Sequence, residues 1–292
     1  MKQIIYTKYN RIRRPEFATR TAIIRDAGGV CRVEKAALYP EGEKHIRSFA
    51  DKAALMRRLY RNVQVVDADY AGDRVCFPFI SGSCVGHILE KHLSDKGELF
   101  KNLEAFLKET MDFADDMRIP FTATREFTGV FGETDYQGEA VAIANIDGIP
   151  DNFLRNENGL MLIDYEWVFD FPVPEPFIRF RCLYYFLAKN HSIITGLLSE
   201  DEYFAHFGFS PEERKRWEEM DSRFQEYVHG QEQCCNYPVA FRQTIHDINY
   251  LLNHVDDVGG ERHRLIQENR QLNKLRSTRH FLRYKMAEKL KR

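Results

Sequence analysis

Through the first eighty residues apolar side chains tend to alternate with polar ones, and beyond that point they recur every third or fourth position. The alternating stretches 3–11 (QIIYTKYNR), 17–26 (FATRTAIIRD) and 30–38 (VCRVEKAAL) are rich in β-branched and aromatic residues and predict three strands. A polar turn at 12–16 and the Ala27-Gly28-Gly29 turn separate them. After Pro40, a favourable first-turn residue, positions 41–60 change period: Ile46, Phe49, Ala53, Met56 and Leu59 share one helical face. Two further strands are predicted over 63–70 (VQVVDADY) and 74–80 (RVCFPFI), split by the turn 71–73.

Past Ser81-Gly82-Ser83 the pattern is helical over 85–93 and 97–117. A loop over 121–139 leads to a strand at 140–145 and then to a hairpin. From 177 onward helices are predicted over 177–190, 200–207, 211–228 and 240–255. The order predicts an α+β chain with two lobes and a cleft between them: 1–80, five strands and one helix, and 81–259, mainly helical. Residues 260–292 are dense in Arg and Lys, with Leu272, Leu275, Leu282 and Met286 near heptad spacing and Arg279 interrupting the seam. This last segment reads as a basic helix, with a solvated helix, a short coiled coil and a helix lying on anionic lipid as the alternatives.

Bulk composition narrows the classes. At 292 residues and 43% hydrophobic, the chain can bury a full core. A net charge of −2 argues against nucleic acid as a partner. Six cysteines without a CxxC pair read as reduced thiols of a cytosolic protein. No apolar run approaches the ~20 residues that span a bilayer, and the N-terminus lacks a signal-peptide core. The expected location is cytoplasmic, with the basic helix allowing a position at the inner membrane face.

The segment 145–167 (NIDGIPDNFLRNENGLMLIDYEW) carries the candidate chemistry. Asp147 follows a strand and opens a tight loop, Asn152 closes it, and Asn156 to Gly159 make a hairpin turn that returns the chain to Asp164. Taken singly, Asp147 and Asn152 are ordinary turn residues and Lys35 an ordinary strand lysine. A buried Asp164 without a cation would carry a large desolvation cost, so its apolar context calls for a partner. Together the residues offer what phosphoryl transfer needs: a cation for phosphates, carboxylate and amide oxygens for Mg²⁺, and an acceptor to orient a hydroxyl.

The pattern D-x-x-x-x-N, hairpin, apolar-apolar-Asp resembles the catalytic and metal loops of the protein-kinase-like superfamily. Ile163-Asp164-Tyr165-Glu166-Trp167 looks most like the Asp-Trp-Glu form of aminoglycoside and choline phosphotransferases. The resemblance implies a bilobal kinase-like fold, with ATP and Mg²⁺ as cofactors. It implies Asp147 as the catalytic residue, Asn152 and Asp164 as metal ligands, and Lys35 as the third-strand lysine on the nucleotide phosphates. It also implies a carboxylate partner for Lys35 from the following helix, with Glu41 the first choice and Glu43 and Asp51 the alternatives. Phe79 and Ile80 are similar to the interlobe hinge, where backbone groups bind adenine. Asn145 stands where the superfamily usually has His, and the 12–16 loop has no glycine run, so Arg11, Arg13 or Arg14 is expected to supply charge there.

Glu166 is expected to assist a metal or, preferentially, to pair with Arg179 or Arg181. His45 is expected to pack or cap, and Trp167 and Phe169 to belong to the core. The stretches 8–17 (KYNRIRRPEF), 35–46 (KAALYPEGEKHI), 126–133 (EFTGVFGE) and 163–181 (IDYEWVFDFPVPEPFIRFR), scattered over 1–250, together look like kinase-like modules attached to bacterial glycosyltransferases and methyltransferases of cell-surface polysaccharide assembly. That likeness implies a saccharide or other hydroxyl acceptor. The alternative it leaves open is a scaffold whose basic helix recruits a glycosyltransferase or a membrane surface.

Overall fold

Residues 3–230 are described by a computed structural model, and all of them fall within one compact unit. The predicted helix over 240–255 and the basic segment 260–292 lie outside the described residues. The first three strands form where alternation predicts them: β1 (Gln3–Tyr9), β2 (Thr19–Arg25) and β3 (Cys31–Ala37). They pair antiparallel, and Gly29 at φ +85° makes the β2–β3 turn that a side chain would strain.

The predicted single helix divides in two, α1 (Glu43–Arg47) and α2 (Phe49–Leu59), after a 3₁₀ turn at Pro40–Gly42. At the junction the Ser48 hydroxyl donates to the His45 carbonyl at 2.7 Å, a local bond of the kind that bends helices. The predicted strand 63–70 also divides. Its first part, β4 (Val63–Val65), leaves the N-terminal sheet, and only β5 (Asp69–Tyr70) joins β6 (Arg74–Pro78). The resulting five-stranded sheet has the order β1-β2-β3-β6-β5. The break falls after Val66, whose side chain is buried and whose N–H donates to the Leu162 carbonyl at 3.1 Å.

After β7 (Ser83–Cys84) come α3 (Val85–Glu90) and α4 (Lys96–Thr110). Asp95 caps α4 by accepting from the Glu98 N–H, and the helix buries Leu99, Leu103, Phe106 and Leu107 on one face. Short strands β8 (Arg118–Pro120), β9 (Glu139–Val141) and β10 (Ala144–Asn145) follow, with α5 (Arg125–Phe131) between β8 and β9. The hairpin β11 (Phe153–Asn156) and β12 (Gly159–Leu162) turns through Gly159 at φ +107°. β4 runs parallel to β12, and the four-stranded sheet β4-β12-β11-β7 joins the hairpin to the segment following α2.

Strands β13 (Val168–Phe169) and β14 (Val173–Pro174) lead into α6 (Glu175–Lys189), α7 (His191–Ile194), α8 (Glu200–His206) and α9 (Pro211–His229). Ser199–Glu202 and Ser210–Glu213 form capping boxes that start α8 and α9. The expected α+β class, a five-stranded N-terminal sheet followed by a mainly helical part, is present in the described residues. Among these residues no helix is long and apolar enough to cross a membrane.

One contiguous core joins the two parts. Phe49 of α2 meets Phe77 of β6 at 5.7 Å, and Phe77 meets Tyr165 at 6.1 Å, all edge-on or tilted. Tyr165 and Trp167 are buried, with the Tyr165 hydroxyl donating to the Val66 carbonyl at 2.7 Å. These two anchors fix the backbone that presents Asp164, just before Tyr165, and Glu166, between them.

Candidate active site

The 147–152 loop is held from both ends. Asn145, fully buried, accepts from the Asp147 N–H through its Oδ1 at 3.0 Å and donates from Nδ2 to the Tyr60 hydroxyl at 3.2 Å. An Asx-type bond of this kind sets the course of the loop. The Asn152 amide Nδ2 donates to the Asp147 carbonyl at 2.9 Å, so its Oδ1 is the atom left to accept or coordinate. The Ile163 N–H donates to the Asn152 carbonyl at 3.0 Å, which brings the residue before Asp164 against the end of the loop. The hairpin thus delivers Asp164 beside Asn152 as its register predicts.

Lys35 reaches this point from β3. Its Nζ donates to Asp164 Oδ1 at 2.8 Å and lies 3.6 Å from Glu166 Oε2. Burial works against the ammonium, but Asp164 and Glu166 outweigh it and raise the Lys35 pKa above its ordinary value. The expected partner from the following helix does not appear. Glu41 is exposed in the 3₁₀ turn, Glu43 pairs with Arg47, and Asp51 is exposed. The Pro40 turn starts the helix so that these carboxylates face solvent; Lys35 finds its counter-charges in the segment 164–166 instead.

Glu166 is the residue sequence reasoning misassigned. It meets neither of the expected arginines: Arg13 Nη1 donates to its Oε1 at 2.5 Å, His45 Nε2 lies 2.9 Å from the same oxygen, and Lys52 Nζ donates to its carbonyl at 2.6 Å. Burial alone would raise its pKa, yet Arg13, Lys35 and His45 hold it well below the usual carboxylate range. Lys52 is pushed down to about 8 by burial, with Glu166 opposing and Lys35 adding to the shift. The signal was present: Lys52 falls at helical spacing from Phe49 and Met56, on the apolar face of α2. Of the three loop arginines, Arg13 enters the site, Arg14 pairs with Glu16, and Arg11 lies over the Tyr9 ring.

Arg181 supports the loop from α6. Its Nε donates to the Ile146 carbonyl at 2.9 Å, its Nη1 binds Asp221, and its Nη2 stands 3.8 Å from Asp147 Oδ1. Burial pushes the Asp147 carboxyl up to about 7, Arg181 opposes the rise, and the charges of Asp164 and Glu166 add to it. Phe79 and Ile80 follow β6; Phe79 is 45% exposed and Ile80 half-buried, while Phe77 is in the core.

A raised carboxyl costs stability wherever the fold must hold it charged. Asp147 is neutral in both states below about pH 4, and its cost is complete above about pH 7. The Asp147→Asn variant is therefore expected to melt several degrees above the parent at pH 8. The gain is on the order of 1–3 kcal/mol, trimmed by the 18% of the side chain still meeting solvent. The difference should close toward pH 4–5; equal melting curves across that range would contradict the assignment.

The oxygens of Asp164, 36% exposed, and of the Asn152 amide fit a hard divalent cation such as Mg²⁺. Among the described residues no cluster of three or more His, Cys, Asp or Glu forms a self-sufficient ion site. Mg²⁺ commonly uses one or two carboxylates together with phosphate and water, so this donor set suits an ion that arrives with a nucleotide.

No protein-family model matches the chain, and no curated protein does. Solved structures do resemble it in outline. The macrolide 2'-phosphotransferase MphH from Brachybacterium faecium is 14% identical over 82% of this chain and 93% of that one, with a TM-score of 0.38. A type I macrolide 2'-phosphotransferase is 11% identical over 82% and 91%, TM-score 0.41. A thermostable mutant of aminoglycoside phosphotransferase APH(4)-Ia is 9% identical over 83% and 94%, TM-score 0.42.

Proposed function

We propose that this protein is an ATP- and Mg²⁺-dependent phosphotransferase of the protein-kinase-like superfamily that acts on a hydroxyl. The observation that carries the reading is the convergence of Lys35 on Asp164, beside the loop that presents Asp147 and Asn152. In this reading residues 1–80 form the nucleotide-side lobe, with Phe79 and Ile80 at the adenine, and the described residues from 81 onward belong to the acceptor-side lobe.

Lys35 holds the nucleotide phosphates, and Asn152 and Asp164 hold the cation. Mg²⁺, when bound, neutralises charge on the phosphate oxygens. Asp147 orients the acceptor hydroxyl and takes its proton. The acceptor oxygen bonds to the γ-phosphorus, the bond from that phosphorus to the bridging oxygen breaks, and ADP leaves with the electron pair. A carboxylate whose pKa stands near 7 is suited to receive that proton at neutral pH. The acceptor class we favour is a saccharide of bacterial cell-surface polysaccharide assembly, on the motif likeness of the sequence.

Nucleotide binding should be visible before any acceptor is known. A ligand at 100 times its Kd stabilises the native state by about 2.7 kcal/mol, so millimolar ATP with Mg²⁺ or Mn²⁺ is expected to raise Tm clearly. An unmoved Tm would turn the reading toward a scaffold that has lost nucleotide binding.

A further inference from the structure

Three separate elements meet on one carboxylate. Arg13 belongs to the loop between β1 and β2, Lys35 to β3, and His45 to α1; Glu166 receives all three, two on Oε1 and one on Oε2. The Glu166 side chain is 5% exposed, whereas that of Arg13 is 17% exposed and its guanidinium also lies 5.5 Å from the Trp167 ring. The carboxylate is therefore the fixed member and the cations are arranged around it. Asp164, the other partner of Lys35, faces outward from the same segment. The loop carrying Arg13 has no glycine between Asn10 and Thr19, so it offers an anion side-chain donors and not the close backbone approach of a glycine-rich loop.

We propose that Glu166 is a positioning residue that aims Lys35 and Arg13 together at the nucleotide phosphates. In this arrangement Arg13 is a second phosphate-binding cation, replacing the contacts a glycine-rich loop would make. A guanidinium suits the part, because its planar fork donates to two phosphate oxygens at once. The anchor also replaces the helix carboxylate that α1 and α2 do not provide. The inference rests on the phosphotransferase reading, since it requires a nucleotide in the site.

The test compares ATP with Mg²⁺ against adenosine, which lacks the phosphates, by calorimetry on the full chain. Glu166→Gln and Arg13→Gln are each expected to weaken ATP about tenfold and leave adenosine unchanged. Because one carboxylate serves both cations, the double variant should lose less than the product of the two single losses. If both ligands weaken alike, Glu166 holds only the fold, and if neither weakens, it aims nothing; either result overturns the proposal. Should Glu166→Gln not fold, Arg13→Gln carries the same comparison with a more exposed side chain. A parent protein that binds neither ligand removes the phosphotransferase reading itself, and the proposal with it.

Discussion

Asp164→Asn is expected to lower Mg²⁺-dependent ATP turnover by about 10³-fold, the scale of losing one preorganised electrostatic contact to a charged transition state. The substitution keeps the shape of the side chain and removes the charge that faces Lys35 and, in the proposed reading, the cation. It should spare the fold. The side chain is partly exposed, and the buried anchors Tyr165 and Trp167 on the same segment are untouched. The measurement is turnover as a function of Mg²⁺ concentration: the variant should need far more cation and still fall short. Turnover equal to the parent at every Mg²⁺ concentration would remove Asp164 from the mechanism.

Asp147→Asn is expected to reduce kcat by about 10²–10⁴-fold, the range for removing a general base, while leaving the affinity for ATP close to that of the parent. The separation follows from the geometry. Asp147 is held by Asn145 through its backbone N–H and lies near Arg181, and its own carbonyl accepts from Asn152, so an isosteric amide should keep the loop in place. The same variant is the one expected to melt higher at pH 8. Gain of stability with loss of rate in a single substitution is the trade expected where a charge is held in a site that disfavours it. If kcat fell in step with ATP affinity, Asp147 would be supporting the nucleotide site and not the hydroxyl.

Both expectations rest on residues that turn chemistry alone leaves as turn residues and that the resemblance to phosphotransferase loops singled out. The tight loop and hairpin that carry Asp147, Asn152 and Asp164 were legible by local rules, and the register of β11 with β12 is the one those rules require, whereas the roles of the three residues came from the resemblance. The sheet order was equally local over its first three strands. What local rules could not fix was partnership across the fold. Val63 to Val65 read as part of the N-terminal sheet, but pair with a strand nearly a hundred residues later. The counter-charge for Lys35 was sought on the next helix, where Glu41 is nearest in sequence, whereas burial of Tyr165 and Trp167 delivers Glu166 to it instead. Lys52 on an apolar helix face was the one local sign that a buried charge cluster lay against α2.

In the proposed reading Lys35, Asp147, Asn152 and Asp164 surround one nucleotide triphosphate and its cation. A crystal structure of the protein with a non-hydrolysable ATP analogue and Mg²⁺ tests it most directly. The expected complex has Lys35 on the phosphates, the ion bound by Asn152 and Asp164, and the Asp147 carboxylate facing the γ-phosphate with room for a hydroxyl between them. An analogue bound elsewhere, or a triphosphate in this site with Lys35 and Asp164 still paired only to each other, would contradict it.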